Sequence, residues 1–246
     1  MSPNSTTPDR VNRPARQGPL WRPFDGAAAT YDEWYKSPLG AFAEQVERRA
    51  VFELLAPEAG ELILDVGSGT GRYTLDLFRR GARAVGVEPS AGMLAIAQER
   101  RSPAGGPSYV RAAGEALPFH PRTFDAVVIV TTLEFAGDPD ALLSEAVQAT
   151  RIGGRVVVGA LSRSGPWAAR RRRSRSPLWA GARFFMEDEL RAMLERYGLV
   201  RSRRVLLVPP QLARVPSPLL MLLERLGVVL ARRWAAFIAV RVHLEG

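Results

Sequence analysis

The feature that most constrains this chain is a short apolar run, Glu61-Leu-Ile-Leu-Asp-Val66, which stops at Gly67, Gly69 and Gly71 and passes into helical spacing at Tyr73, Leu77 and Phe78. Three glycines at alternate positions weaken a turn unless the backbone must bend sharply and something must approach it closely. The run reads as strand, glycine turn, helix, with Arg79-Arg80-Gly81 supplying basic last-turn residues and a stop.

That unit recurs along the chain. Residues 84–87 are apolar, Pro89-Ser90 opens a helix through Met93 and Leu94, and 109–110 and 125–131 read as further strands. Asp138-Pro139 starts a helix to about Thr150, Gly153-Gly154 ends it, and 155–161 is a fifth strand. Residues 204–208 and 235–242 predict two closing strands. Strands alternating with helices in this way predict a mainly parallel sheet covered on both faces.

Ligands of an open parallel sheet lie beyond the carboxyl ends of its strands. Here those are the turns after Val66, Val87, Val110, Thr131 and Leu161. Asp65 precedes the glycines and Glu88 ends the second strand, about where an acid would meet a ribose. A dinucleotide fingerprint, G-x-G-x-x-G, would need glycine where Arg72 stands, and the spacing is G-x-G-x-G instead.

Composition removes other chemistries. The 246 residues contain no cysteine, which excludes disulfide frameworks, thiolate metal sites and cysteine nucleophiles. Neither His120 nor His243 has a neighbour that suggests a metal, and no metal is expected. The net charge of +9 is almost all arginine, Lys36 being the lone lysine. Genomic composition accounts for that usage as well as an anionic partner does. The polar amino terminus lacks the apolar run of a secretory signal, and no segment has the length and apolarity of a membrane span, so a cytoplasmic protein is expected.

Several separated motifs resemble one family. LDVGSGTG at 64–71, GVEPSAGML at 86–94, GEALPF at 114–119, FDAVVIV at 124–130 and IGGR at 152–155 follow in order. Together they resemble the class I S-adenosylmethionine-dependent methyltransferases, in the type 11 branch similar to ubiquinone/menaquinone-biosynthesis methyltransferases. The resemblance runs over roughly 24–197. It implies a three-layer α/β/α Rossmann-like fold, with a mainly parallel seven-stranded sheet, an antiparallel last strand and a helical N-terminal cap.

The resemblance also implies S-adenosyl-L-methionine as cofactor. Gly67, Ser68, Gly69 and Gly71 would pass under its methionine part, with Asp65 near its amino group. Glu88 would accept the ribose hydroxyls, beside Pro89. Met93 would pack on the adenine face, which suits a polarizable thioether. Gly114 and Glu115 would meet the adenine edge, and Thr131, at the turn after the fourth strand, is also expected among the cofactor-binding residues. The sequence departs from the family at Ala113, where an acid is frequent, at Ser68, where a cysteine is frequent, and at Ile152, where a proline is frequent.

A sulfonium methyl is already activated, so alignment and exclusion of water are the main tasks. If the acceptor is a hydroxyl, a base helps. Glu134, just after the fourth strand, is the first candidate, although it also suits a helix-start carboxylate stabilised by the macrodipole. Tyr31 and Tyr35, on the cap helix, come next, with a core-facing stripe as their alternative.

The expected organisation is a polar tail at 1–23 and a single domain at 24–246. Within it lie cap helices at 24–57, broken near Pro38 and Gly40, and a cofactor-binding core at 61–161. An arginine-rich loop follows at 162–182, a helix at 187–197, and a helical insertion at 209–233. The expected function is methyl transfer to a small acceptor, lipophilic acceptors included. The alternatives are a nucleic-acid-modifying methyltransferase, suggested by the 170–175 arginine run, and a non-catalytic cofactor-binding module. The 209–233 insertion leaves peripheral membrane contact open. Oligomeric state is not readable.

Overall fold

The structure, a computed structural model, describes residues 19–102, 105–212, 215, 217–230 and 232–245. Most of the expected amino-terminal tail, residues 1–18, lies outside the described residues. The strands are β1 (Leu62–Val66), β2 (Arg83–Val87), β3 (Ser108–Val110), β4 (Phe124–Val130), β5 (Thr150–Leu161), β6 (Gly198–Val205) and β7 (Phe237–Leu244). Among the described residues they form one seven-stranded sheet in the order β3-β2-β1-β4-β5-β7-β6. The pairs from β3 through β5 are parallel, and β7 runs antiparallel to both β5 and β6. This is the expected Rossmann-like class I methyltransferase fold. Because β1 leads to β2 on one side and lies against β4 on the other, the crevice between them opens at the carboxyl ends of β1 and β4.

The helices are α1 (Pro23–Tyr31), α2 (Glu33–Lys36), α3 (Pro38–Leu55), α4 (Arg72–Arg79), α5 (Ala91–Glu99), α6 (Pro139–Ala149), α7 (Gly165–Arg173), α8 (Glu187–Glu195) and α9 (Ser217–Leu230). Alternation along β4 divides the core into two layers. Ala126, Val128 and Val130 pack with Phe42, Val51 and Leu55 of α3. Val127 and Ile129 face Leu142, Leu143 and Ala146 of α6 and Leu190 of α8. Each fully buried side chain of this size contributes about 1.5–3 kcal/mol, so both faces of the sheet are committed to helices. Ligand space is left at its ends.

Three local differences from the sequence reading bear on the site. The break in the cap falls at Ser37, whose hydroxyl accepts from the Gly40 amide at 3.0 Å, with Pro38 opening α3. Gly40 lies inside α3, at a position where a Cβ would sit 1.9 Å from the Trp34 carbonyl oxygen, so glycine is required there by close packing.

The stretch expected as an arginine-rich loop contains α7. Proline near its start and four arginines in its last turn are ordinary start and stop signals, and Trp167, Ala168 and Arg171 form its buried side.

The strand expected at 204–208 is shifted toward the amino terminus. It begins at Gly198 and ends at Val205, because Leu206 turns into the left-handed region (φ 62°). The amides of Leu207 and Val208 then donate to Glu224 of α9 at 2.8 and 3.1 Å instead of to a strand. The Val208 carbonyl accepts from the Trp167 indole at 2.8 Å, which ties this segment to α7.

The insertion is helical through α9, with Leu219, Leu222 and Leu226 exposed. No helix among the described residues is long and apolar enough to cross a membrane.

Candidate active site

The glycine turn after β1 is built from left-handed backbone at Gly67 (φ 72°), Gly69 (φ 55°) and Gly71 (φ 80°). The amides of Gly67 and Ser68 both donate to the Val87 carbonyl, at 2.8 and 2.9 Å, which folds the turn back over β2. The three glycines serve different ends. A Cβ on Gly67 would meet the Thr132 side chain at 2.2 Å, and one on Gly71 the Tyr109 hydroxyl at 2.3 Å. A Cβ on Gly69 would meet nothing within 4 Å, so its face is open.

Glu88 stands across this opening, 6% exposed. Its carboxylate accepts from the Gly69 amide and the Ser90 amide, both at 2.9 Å. Burial raises its pKa, against those two hydrogen bonds. Asp65, also buried, accepts from the Thr74 hydroxyl at 2.6 Å, and burial pushes its carboxyl up to about 7.

A cavity of about 80 Å³ is lined by Gly67, Gly69, Glu88, Pro89, Met93, Gly114, Glu115 and Thr131, all expected at the site. A second of about 60 Å³, on the other side of the turn, is lined by Asp65, Gly67, Ser68, Gly69 and Thr131, together with Tyr31 and Tyr35. Gly71 lines neither; it caps α4 and packs on Tyr109.

The cap is pinned over the turn by polar contacts that no motif announced. Asp25 accepts from the Ser90 hydroxyl at 2.6 Å and from the Gly92 amide at 3.2 Å. Asp32 accepts from the Thr70 hydroxyl at 3.1 Å and pairs with Arg100. Phe24 of α1 meets the Phe135 ring at 4.8 Å.

A third cavity, about 380 Å³, lies under this cap, within the usual range for small-molecule sites. Trp34, Tyr35, Phe135, Trp167 and Trp179 line it, with Glu47, Arg170 and Arg171. Tyr31 and Thr131 line all three cavities and stand where they meet. Thr131 itself is left-handed (φ 48°), a strain of the kind found at functional sites. The hydroxyls of Tyr31 and Tyr35 lie 3.4 Å apart.

Glu134, the first candidate for a base, lines none of these cavities. It is 0% exposed, and its Oε1 accepts from the Leu161 amide at 2.5 Å, so it clips the turn after β4 to the end of β5. Burial raises its pKa to about 7.

Glu47, which no sequence pattern singles out, is the carboxylate lining the aromatic cavity, and it also lines the tyrosine compartment. Burial raises it to about 8, with nearby Arg171 pulling the other way. The α3 periodicity placed its neighbours Val46 and Ala50 in the core, but an acid beside a buried stripe reads as solvated surface.

Asp65, Glu47 and Glu134 hold their protons more tightly folded than unfolded, where carboxyls titrate near their usual 3.8 to 4.5. The stability they lend is therefore complete below about pH 4 and lost as pH climbs through 7 to 8. Thermal melts should fall from pH 5 to pH 8.5. Glu134→Gln, which keeps an acceptor for the Leu161 amide, should flatten that fall by at least ~2 °C; an unchanged slope would remove Glu134 from the linkage.

Residues 64–158 match the family described as a methyltransferase domain. An uncharacterized protein of Mycobacterium tuberculosis is 37% identical over 195 residues, covering 76% of this chain and 64% of that protein. A demethylmenaquinone methyltransferase of Thermobifida fusca is 38% identical over 137 residues, covering 55% of this chain and 58% of that enzyme. The chain thus spans about three fifths of the length of these curated relatives. Among solved structures, an S-adenosylmethionine-dependent methyltransferase of Thermotoga maritima, described as a possible histamine N-methyltransferase, superposes with a TM-score of 0.71 at 26% identity. That match covers 91% of this chain and 99% of that one.

Proposed function

Because the chain belongs to the class I S-adenosylmethionine-dependent methyltransferases, related to the demethylmenaquinone branch, we propose that it methylates a small, lipophilic acceptor bound under its helical cap. The observation that carries this reading is the shared wall. Tyr31 and Thr131 border both the compartments along the glycine turn and the larger aromatic one, so a donor and an acceptor would meet there. A cytoplasmic site of action is part of the same proposal.

The residues suit the nucleoside. Gly69 presents an open backbone face, Glu88 offers a carboxylate at the same edge, and the buried Ser68 hydroxyl has no partner among the described residues. When bound, S-adenosylmethionine supplies an electrophilic methyl group. Gly67, Ser68 and Gly69 would carry its amino-acid part beside Asp65. Glu88 would take the ribose hydroxyls, while Met93, Pro89, Gly114 and Glu115 would border the base. Phe24, Phe135 and the cap helix would exclude water from the reacting centre, leaving orientation as the main contribution, worth ~7–11 kcal/mol in well-aligned systems.

For a hydroxyl acceptor, Glu47 is the carboxylate positioned to receive the proton. Its pKa of about 8 means that the basic form accumulates as pH rises through that value. Turnover should therefore climb between pH 7 and 9 and level off. Glu47→Gln should lower kcat by ~10²-fold or more and abolish the climb; a retained pH profile would assign the base elsewhere.

The function itself is tested with methyl-labelled S-adenosylmethionine and fractionated cell extract. Label is expected in the organic-soluble small-molecule fraction. Label confined to nucleic acid, or no transfer with any fraction, would overturn the reading.

A further inference from the structure

The aromatic cavity contains a cation whose surroundings leave it without a direct counter-ion. Arg171 is 9% exposed, on the inner side of α7. Its guanidinium lies near three aromatic rings, with centroids 6.0 Å away at Trp167, 6.0 Å at Trp179 and 5.7 Å at Phe184. Its one hydrogen bond among the described residues is a long one, 3.5 Å, to the Ser162 carbonyl. Glu47 and Glu134 act on it electrostatically, but no carboxylate oxygen of the described residues comes within 4.0 Å. A buried guanidinium with five donors and so few acceptors is a costly arrangement unless a ligand completes it.

The same cavity specifies the rest of that ligand. Trp34, Tyr35 and Trp167 offer flat apolar faces, and Arg170 adds a second cation above the Trp34 ring, 5.9 Å from its centroid. Glu47 on the same wall holds its proton up to about pH 8 and so adds no opposing charge at neutral pH, and a single carboxylate matches one guanidinium fork.

We propose that the acceptor is an aromatic acid, its ring system held between the tryptophan and tyrosine walls and its carboxylate taken by Arg171. This rests on the methyltransferase reading of the site. It adds a polar anchor on the wall of the acceptor cavity, which would fix which atom of the ring reaches the Tyr31–Thr131 junction.

Calorimetry with the full chain tests it, using 2-naphthoate and its uncharged counterpart 2-naphthamide as probes in the presence of S-adenosylhomocysteine. The acid should bind at least ~10-fold tighter than the amide. Arg171→Gln should bring the two within ~2-fold by weakening the acid alone, and Arg171→Lys should retain part of the preference. Should Arg171→Gln fail to fold, the wild-type ratio and the lysine variant still decide. Equal affinities in the wild type, no binding of the acid at millimolar concentration, or equal losses for acid and amide in Arg171→Gln would each overturn the proposal. S-adenosylhomocysteine is titrated first: if it binds and the acid is not preferred, only the aromatic-acid assignment falls. If it does not bind, the methyltransferase reading falls and takes this assignment with it.

Discussion

Glu88→Ala should lower the affinity for S-adenosylhomocysteine by ~100-fold, the equivalent of about 3 kcal/mol lost with charge-assisted hydrogen bonds to two ribose hydroxyls. The expectation follows from what its carboxylate does in the protein alone. One oxygen is held by the Gly69 amide and the other by the Ser90 amide, both at 2.9 Å, so the group is oriented across the open face of the turn. Each oxygen has a further lone pair to offer. Glu88→Gln keeps the shape and one acceptor but loses the charge, and should fall between the two, near ~10-fold. Calorimetric titration of the three proteins settles the order. Unchanged affinity in the alanine variant would place the ribose elsewhere.

The second large effect comes from the glycine turn, where the three positions separate binding from folding. Gly69→Val places a branched side chain in space that is empty in the protein. Its folding cost is the left-handed backbone alone, of order ~2 kcal/mol for a branched residue, or a loss of ~4–8 °C in melting temperature. Its binding cost should be near total, at least ~100-fold, because the added methyls occupy the surface along which the nucleoside would lie.

Gly67→Val meets the Thr132 side chain in addition to the same backbone strain and should fail to fold stably. Melting curves and S-adenosylhomocysteine titrations of both variants check the contrast. A Gly69→Val protein that still binds normally would show that this face is not the cofactor's.

The strand–turn–helix at 61–79 was legible because its signals are local. Apolar residues of the right period run into glycines that only a tight turn accommodates, and Glu88 follows at the next strand end. The same local logic separated Gly69 from Gly71 in no way, since both are glycines in one turn. Only packing shows that one faces Tyr109 and the other faces open space. The shift of β6 had no local signature either. Val205, Leu206, Leu207 and Val208 all favour strand, but Glu224, distant in sequence, captures the amides that would have continued the ladder.

Glu134 and Glu47 mark the limit most sharply. In sequence, Glu134 stands at the end of the fourth strand, where site residues gather, and Glu47 stands in a cap helix among other charges. The structure turns Glu134 onto the Leu161 amide and leaves Glu47 on the cavity wall.

Sequence by itself determined the sheet of alternating strands and helices, the glycine turn and the acid opposite it, because those depend on residue period and backbone freedom within a few positions. Which carboxylate lines the aromatic cavity, and that an arginine from the 162–182 stretch lies buried on its wall, were decided by tertiary packing. Both depend on α3 and α7 lining one cavity at the ends of β4 and β5, an arrangement of segments more than a hundred residues apart that no local pattern encodes.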